Sequence, residues 1–239
     1  MIQSLIYFLL NKLARSIKGD AYSLDPSINT FALLSLAARR LISRLRSVYR
    51  GLGWKKAIFI GRNVELRNRK FIQIGKGVTL GDAVLIDGLS RDGVVLGNNV
   101  NVGEYTRIEA SGTITDIGKG VKIGDNTGIG SFSFIGGAGG VLIGKDVIMG
   151  QWVSFHPENH NFERLDTLIR LQGVNRKGIV IEDDCWIGAK VTFVDGAHVG
   201  HGSVIAAGAL VRGYIPPYSV AVGIPARIIR SRKVAQPVT

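Results

Sequence analysis

Along most of this chain an apolar residue recurs every six positions, usually followed at once by glycine. Leu96-Gly97, Val102-Gly103 and Ile108 open one run, and Ile117-Gly118, Ile123-Gly124, Ile129-Gly130 and Ile135-Gly136 continue it. Ile143-Gly144, Met149-Gly150 and Phe155 follow, then after a gap Ile181, Ile187-Gly188, Phe193, Val199-Gly200, Ile205 and Val211. Ile60-Gly61, Ile74-Gly75, Leu80-Gly81 and Ile86 form an earlier, looser run. A period of six fits neither a helix at 3.6 nor a simple strand at 2, so it signals a repeat architecture. Four residues after each lead stands a second small or β-branched residue, such as Val78, Thr106, Ser133, Cys185 or Ala209. Two inward positions per six suit a short strand, a tight corner and another short strand. Three hexads, about eighteen residues, then make one triangular coil, and stacked coils share a continuous aliphatic core. The expected fold is therefore an all-β solenoid. The glycine after each lead serves either a left-handed backbone angle or a close approach that a Cβ would hinder.

The ends of such a stack need caps, because a bare coil edge invites pairing with another chain. The segment from Ile215 to Arg230 can close the C-terminal end, where Pro216 and Pro217 lack ladder donors. Three short interruptions, Asp87 to Val95, Glu109 to Asp116 and Gly136 to Leu142, are expected to bulge from corners. Gly136-Gly137-Ala138-Gly139-Gly140 lacks the Lys-Ser/Thr ending of a phosphate loop and runs into another strand, so it is not read as one. The excursion from His156 to Gly178 differs in kind. Long loops on rigid scaffolds tend to carry function, and this one holds His156, Glu158, Asn159 and His160 at its base.

The net charge of +12 is concentrated at one end. Met1 to Lys56 carries ten Lys/Arg against Asp20 and Asp25, which is +8. Ile2, Ile6, Leu9, Leu13 and Ile17 lie at helical spacing, and Asp20 to Asn29 reads as a loop. A second helix is expected from an N-cap at Thr30 to about Tyr49, with Leu34, Ala38, Leu41, Leu45 and Val48 on one face and Arg39, Ser43, Arg46 and Arg50 on another. Residues 1–56 thus form a helical extension with two open readings: a cap over the first coil, or an anchor on an anionic membrane surface. The N-terminal apolar run is shorter than the roughly twenty residues a bilayer needs, and no signal peptide is expected. No nucleic-acid motif accompanies the charge, so nucleic acid is not an expected partner. The one cysteine, Cys185, excludes an internal disulfide framework, fits a reducing compartment and sits at an inward position. Residues 57–230 make the solenoid domain, with the loop at 156–178, and 231–239 a tail.

From Ile60 to Arg230 the chain resembles the hexapeptide-repeat acyltransferases, in particular the branch of maltose, galactoside and xenobiotic acetyltransferases. The residues that carry the resemblance are Asn159-His160, Ile179 to Ala189 with its Cys185-Trp186-Ile187-Gly188, and Ile215-Pro216-Pro217 through Gly223-Ile224-Pro225-Ala226-Arg227. The resemblance implies a left-handed parallel β-helix, a homotrimer with sites between subunits, and acetyl-CoA as co-substrate. In that family the catalytic histidine stands eleven residues after the lead that opens the loop, which matches His160 counted from Met149. His156 is the runner-up, placed with Glu158 on the acceptor side, and Asn159 orients the imidazole or meets the acceptor. The amide of Ala189 matches the oxyanion donor, where family members often have serine. Trp186, Gly188, Ala207 and Gly208 match positions along the pantetheine arm, and Arg212, Arg227 and Arg230 match basic residues near the nucleotide.

The chemistry asks for these groups. Imidazole can take the proton of an attacking hydroxyl, and a main-chain N–H can stabilise the tetrahedral oxyanion. The expected activity is acetyl transfer from acetyl-CoA to a sugar hydroxyl, in surface-polysaccharide assembly on a lipid-linked acceptor at the inner face of the cell membrane. The alternatives are a soluble sugar or xenobiotic acceptor, or a membrane-associated solenoid without activity. A lyase with three metal-bound histidines shares this kind of solenoid. The order of His156, His160, His198 and His201 reverses that family's pattern, and no metal is expected.

Overall fold

The computed structural model describes residues 2–18, 23–52 and 54–233. Two helices, α1 (Ile2–Lys18) and α2 (Thr30–Tyr49), precede a parallel β-helix of short strands. Parts of the expected 20–29 loop and 231–239 tail, namely residues 20–22 and 234–239, lie outside the described residues. The chain winds through three faces in turn. Face 1 runs from Phe59–Ile60 down to Val204–Ile205 and Ser219–Val222, face 2 from Glu65–Arg67 to Leu210–Val211, and face 3 from Ile72–Ile74 to Tyr214–Ile215. Ladders between coils are parallel and in register, for example Phe134↔Ser154↔Thr192. The last strand, Arg227–Ser231, turns back antiparallel on Ser219–Val222 and covers the C-terminal edge of face 1.

The hexad leads fill the core. Ile86, Ile108, Ile135, Phe155, Ile187 and Phe193 are fully buried, as are Val78, Thr106 and Val191 at the second inward position. Ile117 departs from the pattern. It lies outside any strand and is only half-buried, because the second excursion runs on to Gly120 before the strand Val121–Ile123 resumes. Glycines after the leads serve close approach. A Cβ on Gly130 would stand 2.3 Å from the backbone of Gly150 in the next coil. The left-handed angle falls two residues later instead, on residues such as Tyr105, Phe132 and Trp152 (φ +58°, +60° and +61°).

Every insertion leaves the solenoid at one corner, between faces 2 and 3. Residues 88–93, 110–120, 137–140 and 157–178 all connect a face-2 strand to the next face-3 strand. The other two corners stay tight.

The N-terminal end shows why the charge is uneven. N–H groups of each coil donate to carbonyls of the next, as in Phe59 N–H to Val78 and Gly61 N–H to Leu80. The first coil therefore presents carbonyls that no earlier coil can satisfy, and unpaired backbone acceptors are costly. Basic side chains reach them: Arg44 to Ile58 O, Arg50 to Val64 O at 2.6 Å, and Lys56 to Ile74 O at 3.0 Å. Arg40 stacks over Phe59 and donates to Thr79. Helix α2 thus meets the solenoid through its basic side. The stripe expected to be apolar is the outward one: Leu34, Leu41 and Leu45 are 51%, 60% and 53% exposed. Asn29, not Thr30, caps the helix, its Oδ1 accepting from Ala32 N–H at 2.8 Å.

Cys185 is buried under the C-terminal coils, and burial pushes its thiol up to about 11. Only the thiolate alkylates readily. Iodoacetamide at pH 8 should leave the native thiol unmodified and label it fully in guanidinium; rapid native labelling would contradict this burial.

Candidate functional site

The long excursion is an ordered hairpin. Asn159–His160 pairs antiparallel with Val174–Asn175. Two amide side chains organise it, neither singled out by sequence. Asn161 accepts from Asn175 Nδ2 and donates to Gln172 O, while Gln172 donates from Nε2 to Arg164 O and Thr167 O. Ion pairs hold its base. Arg176, just past the returning strand, grips Glu158, just before the outgoing one, at 2.6 Å and Asp116 of the 110–120 excursion at 2.9 Å, and Asp116 also pairs with Arg91. From the following coil, Asp195 Oδ1 accepts from the N–H groups of Lys177 and Gly178, both at 2.8 Å. Glu158, expected on the acceptor side, is thereby committed to Arg176. An Asp-Gly turn after an in-register strand, Asp195-Gly196, was the available hint for that anchor.

His160 and Asn159 are exposed, and neither side chain hydrogen-bonds to another described residue. His156 stacks on Phe134 at the outer wall of face 2, ring centroids 5.7 Å apart. The other two histidines lie elsewhere. His198 Nε2 meets Glu182 at 2.7 Å on face 3, and the second oxygen of Glu182 accepts from His201 N–H. The four do not converge, and among the described residues no group of three or more metal-ligating side chains gathers.

The His198 contact first, and the His201 N–H second, hold the Glu182 carboxyl below its ordinary value of 4.5. A depressed folded-state pKa adds stability above the unfolded value, and that stability fades as pH falls through the folded one. Glu182→Gln should melt below the wild type above about pH 5, and the gap should close as pH falls through the depressed folded-state value. Melting curves across that range would show it, and a constant offset would refute it.

The corner between faces 1 and 2 has its own character. Gly188, Ala189, Ala207 and Gly208 come together there on consecutive coils: Gly208 N–H donates to Ala189 O at 2.8 Å, and a Cβ on Gly188 would stand 2.4 Å from Ala207 N. Trp186 projects from the face-1 strand leading into this corner and is 58% exposed. The N–H groups of Gln151, Ala189 and Ala207 find no acceptor among the described residues. At the corner between faces 3 and 1 the matching amides are covered: Lys76 by Asn98, Asn98 by Asp125, and Lys145 by Asp183. From Gln151 onward one corner thus presents a column of open donors, whereas side chains cover most of the matching amides at its counterpart. Tyr105, Phe132 and Trp152 stack above it, at 5.0 and 4.6 Å. Each stands three residues after a lead, so the repeat itself could have flagged the aromatic column. Arg212 leaves face 2 on the last coil. Arg227 and Arg230 lie exposed on the closing strand, which Ala226 N–H ties to Leu210 O.

Within one chain the His160 hairpin and the open-amide corner occupy opposite edges of face 2. The strand between them is three residues wide, roughly 10 Å.

Residues 178–213 match the bacterial transferase hexapeptide (six repeats) family. The chain is 29% identical over 183 residues to a Mycobacterium tuberculosis protein described as an acetyltransferase, covering 76% of this chain and 57% of that one. A lipopolysaccharide-biosynthesis O-acetyl transferase, so described, of Escherichia coli is 26% identical over 172 residues, covering 69% of this chain and 74% of the relative. An Escherichia coli chloramphenicol acetyltransferase is 37% identical, but over 44% of this chain and 50% of its own length. The chain therefore spans between half and three quarters of the length of these relatives. Among solved structures, an N-acyltransferase from Bacillus cereus, AntD, in complex with dTDP and coenzyme A matches with a TM-score of 0.52 at 17% identity, covering 79% and 90% of the two chains. That likeness shows the fold: a left-handed parallel β-helix.

Proposed function

We propose that this protein transfers acetyl from acetyl-CoA to a sugar hydroxyl by direct attack, with His160 as general base. The observation that carries the reading is the open-amide corner. Gln151, Ala189 and Ala207 present main-chain donors in register beside exposed Trp186, a fitting track for the amide-bearing pantetheine arm, with Ala189 N–H available to the oxyanion. Arg227 and Arg230 at the end of that track, with Arg212 on the last coil, suit the nucleotide phosphates. The His160 hairpin lies across face 2 from the corner of its own chain, so the reading assembles each site from two copies, in a trimer. Neither Glu158 nor His156 is needed at the acceptor: one is paired with Arg176, the other stacked on Phe134. Asn159, free beside His160, remains available to orient it or meet the acceptor.

The acceptor is proposed to be a lipid-linked sugar of a surface polysaccharide, at the inner face of the cell membrane, in keeping with the relative named for lipopolysaccharide O-acetyl transfer. The second reading, a soluble sugar or xenobiotic acceptor of the maltose, galactoside and xenobiotic branch, draws on the chloramphenicol acetyltransferase match. Thiol release from acetyl-CoA with a panel of sugar and antibiotic acceptors tests both. Release with glycans supports the first, and release with chloramphenicol alone supports the second. No release, together with no heat of coenzyme A binding, would leave a non-catalytic scaffold.

A further inference from the structure

We infer that the outward ridge of α2 is a lipid-bilayer contact, held by apolar insertion rather than by the chain's basic excess. This gives a location to the membrane reading above but does not depend on acetyl transfer. Leu33, Arg40, Arg44 and Ser47 recur at helical spacing on the side of α2 that packs against or bonds to the solenoid end or lies buried there. The opposite side carries Phe31, Leu34, Ala38, Leu41, Ile42, Leu45 and Tyr49, a stripe about 100° wide. Its large members are 48% to 93% exposed. This is the reverse of the usual surface helix, whose apolar stripe faces the core.

What covers the ridge follows from its chemistry. Neither helix contains a single Asp or Glu. Protein interfaces commonly mix both charges at the rim, whereas an anionic headgroup layer repels carboxylates and accepts cations. Exposed Lys12 and Arg39 stand on the two helices, with Phe8 and Leu9 adding apolar surface on α1. Phe31 and Tyr49 mark the two ends of the ridge, and aromatic rings settle well at headgroup depth. No described helix is long and apolar enough to cross a membrane. The contact is therefore a helix lying in the interface plane. Arg40, Arg44, Arg50 and Lys56 are engaged with the solenoid, so they contribute less attraction than the net +8 implies.

The test is flotation of the full chain with phosphatidylcholine vesicles, with and without phosphatidylglycerol, at low and high salt. Binding to both vesicle types is expected, stronger with phosphatidylglycerol and only partly lost at 0.5 M salt, a concentration at which exposed charges are largely screened (roughly 4–5 Å Debye length). Leu41→Asp/Leu45→Asp should reduce partitioning at least tenfold, while its melting temperature and its thiol release with a soluble acceptor stay unchanged. Arg39→Gln should weaken only the phosphatidylglycerol component. Equal binding by the Asp variant, or binding abolished by salt alone, would overturn the inference. So would an oligomer in gel filtration that Leu41→Asp/Leu45→Asp dissociates without any vesicle binding by the wild type, since a second copy would then be the occupant. If vesicles bind and thiol release fails, the functional reading falls and this one stands.

Discussion

His160→Ala is expected to lower turnover by roughly 10²–10⁴, the scale of a lost general base, with coenzyme A affinity little changed. A sugar hydroxyl is a weak nucleophile at neutral pH, and an imidazole with an ordinary pKa of about 6.5 can accept its proton as the bond to carbon forms. His160 is suited by its setting. It lies on a hairpin with a designed-in frame, clamped at the base by Arg176, Glu158, Asp116 and Asp195, yet its own ring is exposed and uncommitted. His156 lies on the solenoid wall against Phe134. Losing its ring should cost packing and little turnover. Steady-state thiol release from both variants, with circular dichroism to show intact folding, decides the matter. Equal losses from His156→Ala and His160→Ala would overturn the assignment. A loss from His160→Ala that appears in the acceptor KM alone would move it from base to binding group.

The scaffold was legible because a period of six leaves few alternatives. Each lead from Ile60 to Val211 except Ile117 took its buried place, and the left-handed sense came from family likeness, not from periodicity. The frame of the hairpin was not legible. Asn161, Gln172 and Arg176 act across gaps of sequence that no repeat measures, and Asp195 acts from the coil beyond. Helix α2 docks against the usual pattern for a physical reason. Its pattern is genuinely amphipathic, and amphipathic helices usually bury the apolar side. Here the stack ends in a row of carbonyls, so donors were needed at the docking side and the arginines went there. The basic excess of Met1 to Lys56, read alone as a sign of an anionic partner, is in good part a response to the polarity of a parallel solenoid.

That same stacking sets the second large effect, at two glycines only two residues apart. Gly130→Ala should cost about 4 kcal/mol or more, enough to leave little soluble protein, because losses of that size accompany steric conflict with no route to relief. Its Cβ would stand 2.3 Å from Gly150 C and O and 2.5 Å from Gln151 N. All three atoms are backbone of the next coil, which is itself tied by Gly150 N–H to Ile187 O and by Trp152 N–H to Ser131 O. No side chain can swing away, so the coils must part, and with them the corner that carries Gln151 and Ala189. Gly128→Ala meets no atom within 4 Å and needs no left-handed angle. It should be neutral or slightly stabilising, since glycine in a strand gives up more chain entropy on folding than alanine does. Thermal melts and soluble yields of the pair measure the contrast. Similar stability for both would mean that the coils have slack between them. The close contact beneath each lead would then not be what makes glycine follow it.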